Sequence, residues 1–184
     1  LAATRAVRAT FGLTTLASVG LWAAFFGDRF DVEYVFQYSN RTLPLAYKLA
    51  AFWGGQKGSL LFWALTLAVF AVIVVRPRRS TEPVLLAGVA AVLMAILAFF
   101  LLLANFSTNP FERIPGAMAV DGHGLNPLLQ HPAMAIHPPM LYMGYVGFSV
   151  AFAFSIAALL GGKLDATWAR WSRPWTTVAW VFMT

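Results

Sequence analysis

Two histidines of this sequence directly precede a proline, which restricts the backbone and so the direction of the imidazole. Residues 126–147 read NPLLQHPAMAIHPPMLYMGYVG, in which His131 and His137 each precede a proline. A residue before proline is pushed out of the α region, whereas proline itself suits the first position of a helix. The pattern therefore predicts that His137 lies just outside a helix that begins at Pro138 or Pro139. The positive end of that helix would keep the ring neutral, and neutral imidazole is the form that binds iron.

The neighbouring side chains have plainer interpretations beside a chemical one. Met140 and Tyr142 fall in the first turns of the predicted helix, where a methionine packs against a core or against lipid more often than it binds a metal. His131 and His123 are interpreted as solvated loop residues. A single histidine at a membrane interface is itself more often a polar anchor than a ligand, so the ligand hypothesis for His137 competes with that role.

A second cluster, WGGQKGS at 53–59, leads into the apolar run LLFWALTLAVF. Three glycines in five positions let the backbone turn sharply or approach another element closely, and we expect Gly54 and Gly58 to matter for that shape. Lys57 stands at the same boundary and could meet an anionic group. The simpler alternative is a tight loop in which Lys57 extends its ammonium to the interface and Trp53 joins an aromatic belt.

The composition predicts that membrane helices position these clusters. Hydrophobic residues make up 60% of the chain, charged residues make up 11%, and the mean hydropathy is +0.71, which is far from the profile of a soluble domain. A helical span needs about 20 apolar residues. We predict an all-α, polytopic transmembrane helical bundle with spans at about 10–27, 59–75, 83–105 and 139–160, and a fifth at 175–184 that is cut off at Thr184.

The start and end of the sequence predict a fragment. It lacks an initiator methionine and stops inside the last predicted span. We therefore expect residues 1–184 to be a membrane fragment of a longer protein.

Two longer polar segments, 28–58 and 106–138, join the predicted spans. The alternating stretch DVEYVFQY in the first segment suits a short strand or a segment lying on the surface. In the second, Asn126 before Pro127 predicts a capped short helix at 127–130. Both candidate clusters lie toward the ends of these loops.

The charges predict that both loops are extracytoplasmic. Lysine and arginine accumulate in short cytoplasmic loops. If the spans alternate, one side carries the whole net charge of +6, while the side with the two loops balances five basic against five acidic residues. The basic side carries Arg5, Arg8, Arg76, Arg78, Arg79, Lys163, Arg170 and Arg173. The basic balance thus reports topology, and the sequence lacks the basic cluster with interleaved aromatic residues that predicts nucleic-acid binding.

The absence of cysteine narrows the possible chemistry. With no cysteine, the chain can form no C-x-x-C-H haem attachment, no thiol-exchange site and no thiolate metal site of its own. Phosphate-cradling glycine loops, zinc-protease motifs and serine elbows are absent as well. Metal chemistry in this chain must rest on histidine, methionine or carboxylates.

Several segments, in order and spacing, resemble the CcmF family of cytochrome c maturation proteins, which handle haem in the bacterial haem lyase complex. These segments are GGQKGSLLFW, TNPF, GLNPLLQHPAMAIHPPMLYMGYVGFSVAFAFSIAALL and WARWSRPWTTVAWVFMT, within residues 10–184. They resemble the N-terminal portion of that family. The CcsA-type cytochrome c synthases share the general plan but not this long string.

The resemblance implies a haem site on the outer face of the bacterial inner membrane, with His137 as an axial ligand to the haem iron. From their positions in the two clusters we expect Lys57, Trp53, Met140 and Tyr142 near the site, with Lys57 close to an anionic partner such as a haem propionate or a lipid headgroup. A second outer histidine, a tryptophan-rich segment and the histidines of a separate haem b would follow in the remainder of the protein.

The implied function is to receive haem and to help attach it to apocytochrome c as a component of the haem lyase. The implied partners, besides the lipid bilayer, are a haem chaperone, a thiol-reducing subunit that presents apocytochrome, and apocytochrome c itself, whose cysteines form the bonds. Two alternatives come from other classes: a secondary transporter or permease, and a structural subunit of a respiratory membrane complex. Transporters place ionisable groups near the membrane midplane, whereas here the polar clusters lie at the ends of spans.

Overall fold

The computed structural model describes residues 2–76, 82–116, 119–162 and 164–184. Within these ranges seven α-helices follow one another, and a 3₁₀ turn at Pro127–Gln130 precedes the sixth. The helices are α1 (Ala2–Phe26), α2 (Glu33–Tyr38), α3 (Leu45–Ala51), α4 (Gln56–Val74), α5 (Pro83–Phe106), α6 (Pro132–Gly161) and α7 (Ala166–Met183). The described ranges contain no β-strand, only an isolated bridge between Val32 and Arg113. The predicted all-α class is confirmed.

Four helices, α1, α4, α5 and α6, are long and apolar enough to cross a membrane. They overlap the first four predicted spans, but α1 begins at Ala2, eight residues before 10, and α6 begins at Pro132, seven residues before 139. α7 begins at Ala166, well before the predicted position 175. It carries Arg170 and Arg173 in its first half and is not among the four helices that are long and apolar enough to cross a membrane.

The DVEYVFQY segment forms a helix, so the strand alternative is wrong. Tyr34 and Val35 are adjacent and both buried, whereas a strand points successive side chains to opposite faces. The helix also brings Gln37 within reach of Glu33, whose Oε1 accepts a hydrogen bond from Gln37 Nε2 at 2.9 Å. The predicted short helix at 127–130 is confirmed, because the Asn126 side chain accepts the Leu128 N–H.

One compact unit comprises residues 14–63 and 100–139, and we call it the loop-bearing unit. Its core collects buried side chains of α1, of the two short helices and of the loops, among them Leu21, Phe25, Tyr34, Phe52 and Leu125. The two connecting segments are therefore folded structure with a core of their own. Burial of side chains of this size stabilises a fold by about 1.5–3 kcal/mol each.

A buried ion pair ties α3 to the end of α1 within the loop-bearing unit. Lys48 is only 5% exposed, and its ammonium contacts the Asp28 carboxylate at 2.5 Å. Asp28 has a positive φ of 49°, the left-handed conformation that commonly ends a helix. Removing one member of such a pair leaves a buried charge without compensation, which costs more than the pair contributes.

The second unit comprises residues up to 13, 64–99 and 140–184. Small residues bring its helices into close contact: a Cβ added at Gly147 of α6 would lie 2.8 Å from Ala179 Cβ of α7, and one added at Gly88 of α5 would lie 3.0 Å from Ala157 Cβ of α6. Close approach at glycine and alanine is how membrane helices gain packing contacts without a hydrophobic driving force.

Most of the basic residues that carry the topology prediction can be placed. Arg5, Arg8, Arg76, Arg170 and Arg173 are all exposed. Arg78, Arg79 and Lys163 lie outside the described residues. The orientation of the loops itself stays a prediction.

Cysteine labelling tests that orientation at exposed sites. Single cysteines at Thr42 or at Leu128, which is 76% exposed, should react with a membrane-impermeant maleimide in intact spheroplasts. A cysteine at Leu164, 66% exposed in the connection from α6 to α7, should react only after lysis. The opposite pattern would reverse the assigned orientation.

Candidate functional site

His137 lies inside a helix rather than at its entrance. α6 starts at Pro132, so His137 is its sixth residue, and Pro138 and Pro139 are internal to the helix. The prediction of the helix start was wrong because the residue before a proline is biased away from the α region but not excluded from it. The positive end of a helix disfavours a cation only within the first turn. His137 lies beyond that turn, so the helix dipole gives no reason to expect a neutral ring there. Its side chain is exposed.

His131 occupies the position that was predicted for His137. Its backbone is extended, with φ −94° and ψ 133°, and Pro132 after it is the first residue of α6. Its Nδ1 accepts the Ala133 N–H at 3.2 Å, so the imidazole caps the helix in the way that Ser or Asp usually does. The interpretation of His131 as a solvated loop residue missed this role, although the His-Pro signal was present at both positions.

The two prolines inside α6 leave it short of hydrogen-bond donors. Proline has no N–H, so Pro138 and Pro139 cannot donate to the carbonyls four residues earlier, at Met134 and Ala135. The Trp53 indole N–H supplies the missing donor to the Ala135 carbonyl, with Nε1 3.1 Å from the oxygen. Trp53 thus connects the glycine-rich segment to the part of α6 that carries His137.

Tyr34 lies at the centre of the turn that holds Trp53. Its buried hydroxyl accepts the Gly55 N–H at 2.9 Å and lies 3.1 Å from the carbonyl oxygens of Phe52 and Gly55. A Cβ at Gly58 would come within 1.8 Å of the Phe52 carbonyl oxygen, and one at Gly55 within 2.3 Å of the Tyr38 ring. The glycines are therefore required for close approach of the chain.

The prediction that Gly54 and Gly58 matter for backbone shape can be compared with this geometry. A Cβ at Gly58 has no room, whereas one at Gly54 would lie 3.0 Å from Leu125 Cδ1, the end of a flexible side chain. Gly55 is the second constrained position. The spacing of the glycines could not distinguish them, because the atoms they approach belong to α2 and to the turn.

Lys57 binds carboxylates of the chain itself. Its Nζ lies 2.6 Å from Glu33 Oε2 and 2.7 Å from Glu112 Oε2. Lys57 is the second residue of α4, where the helix dipole disfavours a cation, and the two carboxylates offset that effect. The Glu33 N–H also donates to the Glu112 carbonyl at 2.9 Å, so α2, α4 and the 106–116 segment meet at this cluster.

The stability that the contact between Lys57 and Glu112 contributes depends on pH. Hydrogen bonding and charge attraction from Lys57 lower the pKa of Glu112 below its ordinary value. The stabilisation of the fold by the Lys57–Glu112 pair is complete above the ordinary glutamate pKa. It is lost as the pH falls through the lowered pKa of Glu112. Glu112 is 60% exposed, so the stabilisation is screened by solvent and small.

The remaining residues expected near the site are distributed between the two units. Met140, 39% exposed, and Tyr142, partly buried, follow His137 along α6 and belong to the second unit. His123 is exposed and its ring packs on Phe36, with centroids 4.3 Å apart. No group of three or more histidine, aspartate or glutamate side chains converges as a metal site among the described residues.

Sequence reasoning missed three contributors to this region: Tyr34, Glu33 and Glu112. The equal numbers of acidic and basic residues in the two loops were a signal that Lys57 has carboxylate partners within the chain. No signal identified Tyr34, because its role depends on the turn folding over α2.

Alanine substitutions at the glycines provide a matched test of the turn. Gly58→Ala should lower the free energy of unfolding by about 3 kcal/mol, the upper range for overpacking a site with no room, because its Cβ meets backbone. Gly54→Ala should cost under about 1 kcal/mol, below the usual range for overpacking, since its contacts with the Leu125 methyl at 3.0 Å and the Ala51 carbonyl oxygen at 3.3 Å need only small shifts. Thermal unfolding in detergent measures both, and equal shifts would contradict the geometry.

Removing only the indole N–H tests the link between Trp53 and α6. Trp53→Phe should destabilise the protein by about 1–3 kcal/mol through the carbonyl left without a donor. It should also speed amide hydrogen exchange at residues 133–137. Trp180→Phe, at a position 59% exposed, is the control and should leave exchange there unchanged. Unaltered exchange in Trp53→Phe would show that the hydrogen bond does not hold this segment.

Comparisons with known proteins match this chain to one family. The sequence profile of the family described as "Cytochrome C assembly protein" matches residues 53–184. The cytochrome c-type biogenesis protein CcmF of Pseudomonas aeruginosa is 56% identical over 160 residues, which cover 87% of this chain and 24% of that protein. Its namesake in Escherichia coli is 48% identical over 163 residues, covering 88% of this chain and 25% of that protein.

A solved structure gives the same result. The structure entitled "Cytochrome c Heme Lyase CcmF" superimposes with a TM-score of 0.80 at 28% identity, covering 98% of this chain and 28% of that one. The chain spans about a quarter of the length of the curated relatives that it matches. The profile match, the identities and the shared fold show together that the chain belongs to the cytochrome c assembly protein family.

Proposed function

We propose that this chain is part of a cytochrome c haem lyase and that His137 supplies an axial ligand to haem, the substrate. The observation that carries the proposal is an exposed imidazole on a helix segment that Trp53 fixes from outside the helix. The relatives named as cytochrome c-type biogenesis proteins, and the structure named as a haem lyase, supply the reaction class.

The side chains around His137 fit a flat, largely apolar ligand that needs one nitrogen donor. Met134 and Ile136 are 40% and 63% exposed. Met134 precedes His137 by three residues and therefore lies on the same face of α6. Bound haem would offer its iron to the imidazole, the usual protein ligand for that metal. The chain's own residues provide the donor, its direction and an apolar surface.

The bond-forming groups belong to another molecule. Residues 1–184 contain no cysteine, and in this proposal the thiols that attach haem are those of apocytochrome c. Binding and orientation are the protein's usual contributions when a cofactor carries the chemistry. The other proposed partners are a haem chaperone and a thiol-reducing subunit that presents apocytochrome. A separate haem b would be held by parts of the protein outside these residues.

We place the chain in the bacterial inner membrane, with the loop-bearing unit's connecting segments on the extracytoplasmic side. Four helices suited to crossing a bilayer support a multi-pass protein. The excess of arginine and lysine in the connections α4–α5 and α6–α7 supports the orientation.

The positions of the ionisable groups argue against the transporter alternative. Lys57 is the second residue of α4 and Glu112 lies in the loop after α5. Transporters instead place coupled charges on broken helices near the midplane. The alternative of a purely structural subunit does not account for an exposed histidine on an anchored segment.

Substitution of His137 in the full-length protein tests the ligand role. His137→Ala should reduce the haem bound on the outer face, seen as a loss of Soret absorbance, and should abolish cytochrome c maturation while membrane insertion continues. Imidazole added to the medium should restore part of both, because the truncated side chain leaves space for that ligand.

Two control variants separate ligation from structure. His131→Asn keeps a cap for α6, since Asn is among the preferred N-cap residues, and should retain wild-type haem content. His123→Ala removes an exposed ring and should also retain it. Wild-type haem content in His137→Ala, or its loss in His131→Asn, would move the ligand to another histidine.

A further inference from the structure

A cavity of about 210 Å³ lies within the second unit, and the proposed haem function leaves it unused. It is lined by residues at the end of α4, at the start of α5, in the C-terminal half of α6 and in the first and middle turns of α7. Its walls are made by apolar and aromatic side chains with one cation at the edge: Ile73, Leu86, Phe154, Trp171, Trp175 and Arg76.

The apolar part of the cavity is well ordered by packing. Phe154 is 1% exposed. The Trp175 ring meets Phe70 edge-on, with centroids 5.6 Å apart. Trp171 and Trp175 are four residues apart in α7 and therefore lie on the same face. Such walls suit a hydrocarbon chain, and the indole rings suit the boundary between headgroups and hydrocarbon.

The cation at the edge can bind an anionic group. Arg76 is exposed just after α4, and none of the ion pairs formed by the described residues involves it. Arg5, Arg8, Arg170 and Arg173 are further exposed cations of the same unit. A basic group beside an apolar recess between membrane helices matches the headgroup sites that proteins present to anionic lipids on the cytoplasmic side.

We propose that this cavity binds an anionic phospholipid, with its phosphate paired to Arg76 and part of one acyl chain against Trp171 and Phe154. A cavity of about 210 Å³ is too small for a whole phospholipid, so only a portion of the lipid enters and the rest stays in the bilayer. The guanidinium can bind a phosphate through two parallel hydrogen bonds. A free anion would gain nothing from the aromatic walls, and an uncharged lipid would leave Arg76 without its partner.

Lipid titration of the full-length protein in detergent tests the proposal. Phosphatidylglycerol should raise the thermal unfolding midpoint and remain bound in native mass spectrometry, whereas phosphatidylcholine and inorganic phosphate should do neither at the same concentration. Arg76→Gln should weaken phosphatidylglycerol binding about fivefold, as expected for one basic group near an anionic lipid. Arg8→Gln removes an exposed arginine that does not line the cavity and should change binding less than about twofold by the same measure.

A second variant blocks the apolar part. Ile73, 48% exposed at the edge of the cavity, tolerates a larger side chain without disturbing buried contacts, so Ile73→Trp should exclude the acyl chain and abolish the shift. Equal effects of the two lipids, binding of phosphate alone, or an equal loss in Arg8→Gln would overturn the proposal. Absence of bound lipid from the wild-type protein, as when another segment of the chain fills the cavity, would also overturn it. None of these outcomes bears on haem ligation by His137.

Discussion

The hydrogen bond from the Trp53 indole to the Ala135 carbonyl is the contact on which the candidate site depends. It exists because Pro139 has no N–H to offer that carbonyl. The bond is partly buried, and a buried carbonyl left without a donor costs about 1–3 kcal/mol. Pro139 therefore weakens α6 internally and makes it dependent on a hydrogen-bond donor from the glycine-rich turn. Through this contact the segment that carries His137 is positioned by a separate part of the chain.

The turn is itself fixed by a buried tyrosine and an ion cluster. Tyr34 satisfies the backbone of the turn from within, and Gly58 leaves the space that this approach needs. Lys57 then joins Glu33 and Glu112 on the outside of the same region. Rigid support around one exposed imidazole is what a ligand-positioning site requires. The chain would thereby contribute orientation to the proposed haem site.

The membrane helices could be predicted from the sequence because long apolar runs have few alternatives in a bilayer. The short helix after Asn126 was also predictable, since Asn-Pro supplies both a cap and a first residue. The start of α6 was not, because His131-Pro132 and His137-Pro138 carry the same local signal and only the fold chooses between them. The helix at 33–38 was obscured by an alternating pattern, and the partners of Lys57 come from residues distant in sequence. Long-range contacts of this kind produce no periodic pattern in the sequence.

Exchange of the proposed ligand itself tests haem ligation by His137 most directly. The full-length protein carrying His137→Cys should bind haem with a thiolate in place of an imidazole, since a haem iron accepts either ligand. Electron paramagnetic resonance of the ferric protein distinguishes the two. We expect the imidazole-ligated spectrum of the wild-type protein to change to a thiolate-ligated one. An unchanged spectrum with full haem content would contradict it and would show that His137 does not bind the iron.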